Sequence, residues 1–403
     1  MKRVKVIGSI ILSIILLFPI NLAYAQGEGR VVGLDENVEA YLIGNEETGE
    51  IYYEKSADDS RAIASLTKLM TYLLTQEAID KGDITLDTKY KADEETEKLT
   101  SWEYSALGLK EGEEYTVEEL IQGLLVVSGN DCAYLLAKSL AGSEDKFAQK
   151  MNDKAKELGL ASQRYYNASG IETEDGKENT SSARDLFKLA QYIRKTYPDI
   201  TKYTTMDEVS LPDKGISEPS TIPLRDDIGG VDGLKTGTTD KAGYCLITTV
   251  DMAGVNPSDN FRCIGVVMGA DQKDTRDSVM SDLIYYISRY YSYKDVLSTN
   301  ESVKSLDLIS AKQGYVDLYP DQNITIVSKD DKIVSKKVSV NENIQAPIKK
   351  GDILGKVYVT YDDESYEVNL VAQNDVAQAS TFGKIFRTIG NSVNFMIDLL
   401  IAR

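Results

Sequence analysis

Apolar positions along this chain follow several rhythms, and each marks a different part of the molecule. Leu66, Leu69, Met70, Leu73 and Leu74 recur at helical spacing, which predicts a mostly buried helix. Far downstream the spacing changes to two. Val338 and Val340, then Val357, Val359 and Tyr361, then Tyr366, Val368 and Leu370 alternate as half-buried strands do. Turn-formers at Asn341 to Asn343, Gly351-Asp352 and Asp362-Asp363 separate them. This predicts a small all-β sandwich domain over residues 303–373, serving as a spacer or as a platform for a partner. Between these regions, Val38 to Ile43, Ile51 to Tyr53, Gly243 to Val250 and Arg262 to Ala270 read as strands of one antiparallel sheet. Asp282 to Tyr291 reads as a helix closing it, and the stretch from Glu94 to Ile200 is mainly helical. There is no internal repeat.

The two ends differ in kind. Lys2, Arg3 and Lys5 precede a largely apolar run from Ile7 to Ile20, and Ala23-Tyr24-Ala25 is a small-x-small cleavage site. Residues 1–25 therefore read as a secretory signal peptide, with a retained anchor as the alternative. No later stretch is long and apolar enough to span a bilayer. Over residues 380–403, however, Phe382, Ile385, Phe386, Ile389, Val393, Met396, Ile397 and Leu400 fall on one side of a helix. Lys384, Arg387, Asn391, Asn394 and Asp398 fall on the other, and Phe395 is the exception. The pattern predicts an amphipathic helix lying in a membrane interface, the alternative being a helix packed on its own domain.

Composition narrows the function. The formal charge is −19, and no basic patch offsets it, so nucleic acid is excluded as a partner. The chain has 3 cysteines and no histidine, which argues against a zinc or other transition-metal site and leaves no cofactor implied. Cys245 and Cys263 fall on consecutive predicted strands, where a disulfide is conceivable, but the expectation for all three is a buried free thiol. Twenty-five tyrosines are many. A glycan-peptide cleft would use some of them, and amphipathic strands account for them equally.

The missing histidine sharpens the chemistry. Ser65 and Lys68 lie three residues apart at the start of the predicted buried helix, so both face one side. A serine hydroxyl is a poor nucleophile until a base takes its proton, and here that base must be a lysine or a carboxylate. The same spacing at Ser143 and Lys146 has a plainer reading: Ser143 follows Gly142 and precedes Glu144 and Asp145, as an N-cap does. Ser128-Gly129-Asn130 and Lys235-Thr236-Gly237-Thr238 add hydroxyls, an amide, a second cation and a side-chain-free position before an apolar strand. Alone, the first is also readable as a helix-boundary turn and the second as a strand entry.

Taken in order, the three strings resemble the Ser-x-x-Lys, Ser-x-Asn and Lys-Thr-Gly elements of the penicillin-recognising serine enzymes. Within that group the chain is similar to the low-molecular-mass D-alanyl-D-alanine carboxypeptidases. Asn167-Ala168-Ser169-Gly170, Ser181 to Leu186, Ala242 to Cys245, and Ile264 to Ala270 with Arg276 just after it extend the likeness. The resemblance implies an α+β, transpeptidase/β-lactamase-like catalytic domain over residues 26–296, with an antiparallel sheet and a helical subdomain. It implies Ser65 as nucleophile, Lys68 as its base, Ser128 as proton relay and Asn130 as the residue orienting Lys68. It implies Lys235 and Thr236 on the substrate carboxylate, Gly237 permitting close approach, and the N–H groups of Ser65 and Thr238 around the oxyanion. Stem peptides of peptidoglycan would be the substrate, β-lactams covalent inhibitors, and the outer face of the cytoplasmic membrane the location. Thr238 departs from the histidine or aromatic residue that many members carry there. Rival readings are a β-lactamase, which would need a carboxylate such as Glu172, Glu174 or Glu178 to activate water, and an inactive wall-binding protein.

Overall fold

The computed structural model describes residues 37–101, 103–329, 332–361 and 364–389. The expected signal peptide lies outside these residues. A central antiparallel sheet organises the catalytic part. Its strands are β1 (Ala40–Asn45), β2 (Ile51–Lys55), β3 (Val231–Thr239), β4 (Gly243–Asp251) and β5 (Arg262–Ala270), in the order β2-β1-β5-β4-β3. Thus the chain leaves the sheet after β2, builds its helical region, and returns at the far edge with β3.

Alternation sorts the sheet's side chains onto two faces. Ala40, Leu42, Cys245, Ile247, Ile264, Val266 and Met268 join one apolar core with helices α1 (Lys68–Asp80), α2 (Asn130–Ala141), α3 (Glu144–Glu157) and α4 (Ala183–Thr196). The intervening residues face α5 (Lys273–Tyr290), where Gly265 leaves room for Met280: a Cβ there would sit 2.5 Å from its sulfur. Tyr53 joins this layer, stacked on Tyr41 at 5.7 Å and touching Tyr286 at 5.1 Å. The expected helix from Asp282 is therefore a longer one that begins at Lys273. Its first turns carry Lys273, Asp274, Arg276 and Asp277, and their polarity hid the period.

Strand β6 (Tyr291–Leu297) follows α5 directly and pairs with β9 (Ile324–Lys329), so the sandwich draws in residues ahead of the expected 303. A second sheet contains β7 (Lys304–Asp307), β8 (Tyr315–Pro320), β10 (Ser335–Val340), β11 (Ile353–Tyr361) and β12 (Glu364–Ala372), ordered β7-β8-β12-β11-β10. Val316, Leu318, Val357, Val359, Val368 and Leu370 fill the space between the sheets. A helix then begins over residues 381–389, with Phe382 77 % and Phe386 73 % exposed. Arg387 on that helix donates to the carbonyls of Ala311 and Lys312. The rest of the expected C-terminal helix lies outside the described residues. All three cysteines are free and buried. Register explains why Cys245 and Cys263 do not pair: the residue opposite Cys263 on β4 is Val250.

Candidate active site

Ser65 sits in a tight 3-10 turn, Ala64–Thr67, that feeds α1. Ala64 holds a left-handed φ of 46°, and an Asn-Ala-Ser-Gly loop presses against it. Gly170 is obligatory in that loop, because a Cβ would lie 1.9 Å from the Ala64 carbonyl oxygen and its own φ is +88°. The loop is self-braced: Asn167 Oδ1 accepts from the N–H of Gly170 at 2.6 Å and of Ser169 at 3.2 Å. Asn179 ties it to the turn, donating to Asn167 O at 2.9 Å and to Thr67 Oγ1 at 3.0 Å.

Lys68 opens α1 and is fully buried. Its Nζ lies 2.8 Å from Ser65 Oγ, 2.7 Å from Asn130 Oδ1 and 2.9 Å from the Ser169 carbonyl. Asn130 begins α2. Ser128, two residues before it, is held at φ 66° where a π-helical turn, Gly123–Val127, gives way to α2. Lys235, on edge strand β3, donates to Ser128 Oγ at 2.8 Å and to the Thr236 carbonyl at 2.9 Å. Gly237 brings β3 against the serine turn, since a Cβ would stand 2.9 Å from Ile63 O and 3.1 Å from Ser65 N. Thr238 follows on the exposed side of that contact. The three sequence strings thus form one hydrogen-bonded cluster. Ser143 is apart from it and caps α3, accepting from Lys146 N–H at 3.3 Å.

Burial also sets the charge of the two amines. It pushes Lys68 down to about 7, against the opposing pull of the Asp131 carboxylate and Cys132. Lys235 is pushed well below the lysine range by burial, then by the facing Lys68 and by Arg276.

This geometry has counterparts. Residues 31–272 match the family model for D-alanyl-D-alanine carboxypeptidases, and residues 291–378 match the model of the C-terminal domain of penicillin-binding protein 5. The D-alanyl-D-alanine carboxypeptidase DacF of Bacillus subtilis is 33 % identical over 98 % of this chain and 100 % of its own length. The chain belongs to the D-alanyl-D-alanine carboxypeptidase family. The carboxypeptidase is also similar in structure to a peptidoglycan synthesis regulatory factor of Streptococcus pneumoniae, with a TM-score of 0.68 and 28 % identity. That likeness covers 84 % of this chain and 99 % of the other. Penicillin-binding protein D2 of Listeria monocytogenes, solved with ampicillin bound, matches at a TM-score of 0.54 and 33 % identity, over 62 % of this chain and 96 % of that one.

Several groups in the carboxypeptidase's cluster received no individual role from the sequence. Ser169 contributes a backbone carbonyl, for which any residue type serves. Asp131 is fully buried, and its carboxylate accepts from the N–H groups of Leu107, Gly108, Leu109 and Cys132 at 2.9–3.1 Å. It thereby pins the loop beside Asn130, whose own N–H donates to Ser105 O at 2.8 Å. Arg276 entered only as a residue just after the Ile264 to Ala270 segment of the likeness. It is buried, its Nε donates to Asp277 Oδ1 at 2.8 Å, and its Nη2 lies 2.8 Å from the same oxygen in an ion pair. Thr221 meets Thr236 Oγ1 at 3.3 Å from the strand's other side. Of the carboxylates a β-lactamase would need, Glu172 and Glu174 are exposed on a loop, and buried Glu178 accepts from Thr239 Oγ1 at 2.9 Å.

Proposed function

We propose that this carboxypeptidase removes the terminal D-alanine of peptidoglycan stem pentapeptides through an acyl-enzyme on Ser65. The arrangement around Lys68 Nζ carries the reading. A neutral amine has two N–H bonds and one lone pair. Asn130 Oδ1 and the Ser169 carbonyl only accept, so they take both N–H bonds, and the lone pair is left facing Ser65 Oγ. Ser65 then donates its proton to Lys68 as Oγ attacks the carbonyl carbon of the penultimate D-alanine. The resulting oxyanion is received by the N–H groups of Ser65 and Thr238. As the C–N bond breaks, Ser128 Oγ, held by Lys235 Nζ, hands its proton to the departing amine and regains one from the Lys68 ammonium, which leaves Lys68 neutral for the water that follows. Water repeats the attack on the acyl-serine and restores the hydroxyl. A β-lactam enters the same way and remains as an adduct.

The terminal carboxylate meets Lys235 and Thr236, with Arg276, itself paired to Asp277 at 2.8 Å, adding positive charge nearby. Its arrival supplies the anion that favours protonated Lys235. A pentapeptide ending in a C-terminal amide should lose this charge-assisted contact, lowering kcat/KM for release of the last residue by roughly 10- to 100-fold. Equal rates for acid and amide would overturn the assignment, and absence of D-alanine release from the acid would overturn the substrate.

We further infer export, with removal of the leader after Ala25, and attachment to the outer face of the membrane through the C-terminal helix. The outward Phe382, Ile385, Phe386 and Ile389 support this, as does Arg387, which fixes the root of the helix to the β domain. The exported protein should have the mass of a chain starting at Gln26. It should cosediment with phosphatidylglycerol vesicles, and a chain ending at residue 379 should not. Undiminished sedimentation of the shortened chain would refute the anchor.

A further inference from the structure

A second concave region lies where the sandwich meets the catalytic part. Two adjoining hollows, of about 490 and 690 Å³, share Glu47, Asn260, Phe261, Tyr293 and Thr325 as walls. Both fall in the size range of ligand sites, which favour domain junctions. The aromatic side is rigid. Phe261 stands edge-on to Tyr52 at 6.3 Å, and Tyr52 packs on Tyr291 at 4.5 Å. Tyr52 OH accepts from Asn45 Nδ2 at 2.9 Å, and Tyr291 OH donates to the Tyr52 carbonyl at 3.1 Å, across the junction. Tyr361 and Tyr366 close the sandwich side.

The rim has the opposite character. Glu46, Glu47, Glu50 and Asp251 supply carboxylates, Asn260 an amide, and Thr48 and Thr325 hydroxyls. Ring faces beside hydrogen-bonding groups suit a ligand that has C–H faces and many hydroxyls. Lys195 and Arg262 line the rim as well, and Arg262 pairs with Glu46 at 3.1 Å, so charges of both signs offset one another and the rim suits an uncharged ligand rich in hydrogen-bonding groups. We propose that this groove binds saccharide, namely the N-acetylated glycan strand that carries the stem peptides. The inference rests on the peptidoglycan reading above.

Its distance from the cluster fits. On the groove wall, Arg262 donates to both carboxylate oxygens of Asp232, at 2.9 and 2.7 Å. Gly237 lies five residues farther along β3, about 17 Å at the rise of an extended strand. A stem pentapeptide in extended form spans a similar length. Sugar held in the groove would thus lie on the order of one extended stem peptide from the serine turn.

The test titrates the full chain with a β-1,4-linked tetramer of N-acetylglucosamine, followed calorimetrically. D-alanine release is measured in parallel from free pentapeptide and from glycan-linked peptide. Wild type should bind the tetramer saturably. Tyr293→Ala, which removes a ring from both hollows, should weaken binding about tenfold. Asn260→Ala, an exposed side chain whose loss leaves the fold intact, should weaken it severalfold. Both variants should keep wild-type turnover of free pentapeptide and slow turnover of glycan-linked peptide. Absence of saturable tetramer binding by wild type, or unchanged binding by Asn260→Ala and a folded Tyr293→Ala, overturns the proposal. Failure of wild type on free pentapeptide would instead strike the carboxypeptidase reading and leave the titration standing.

Discussion

Ser65→Ala should release D-alanine from a D-Ala-D-Ala pentapeptide at no more than roughly one-thousandth of the wild-type rate. It should also gain no mass on penicillin treatment. The first effect follows from losing the one hydroxyl that, among the described residues, is placed against Lys68 Nζ. The variant should stay folded, because Lys68 keeps its contacts to Asn130 and Ser169, and the turn at Ala64 is held by Gly170 and Asn179 rather than by the serine side chain. Intact-mass spectrometry separates this assignment from its neighbour. Ser128 also carries a hydroxyl beside an amine, Lys235 Nζ at 2.8 Å. A penicillin adduct that survives in Ser65→Ala and disappears in Ser128→Ala would make Ser128 the nucleophile and reverse the roles of the two lysines.

What could be read from the sequence divides along a physical line. Ser65, Lys68, Ser128, Asn130 and Lys235 announce themselves because the roles proposed for them belong to side chains and their order along the chain is distinctive. The sheet was legible through Val38 to Ile43, Gly243 to Val250 and Arg262 to Ala270, whose apolar runs match strands buried on both faces. Other features have no such mark. The Ser169 carbonyl is backbone, and the left-handed Ala64 depends on a loop more than a hundred residues away. Asp131 reads as an ordinary helix-start acid, yet it is buried and binds four N–H groups of which three come from a distant loop. Arg276 and Asp277 made the first turns of α5 look like surface, although Arg276 is buried near Lys235. In each case tertiary burial decided the outcome, and periodicity does not report it.

The second large effect concerns Lys68. Lys68→Ala should lower kcat/KM by about 10²- to 10⁴-fold, the range for a positioned general base. Lys68→Arg should not rescue it, since a guanidinium stays protonated and offers no lone pair. The pH profile distinguishes a base from a mere support. A base with a pKa of about 7 is charged and inactive below that value, so wild-type kcat/KM should rise through neutrality and level off above it. Asp131→Asn should move this limb to lower pH, because the carboxylate is the group that pulls the Lys68 value upward. Stability supplies an independent reading of the same amine. Between about 7 and the ordinary lysine value the unfolded chain holds a proton that the folded chain has released. Unfolding free energy should therefore climb with pH across that window, relative to Lys68→Met, in which the titrating group is gone. A profile flat from pH 5 to 8, with wild type and Lys68→Met showing parallel stability curves, would mean that Lys68 remains charged throughout, and some other group would have to accept the serine proton.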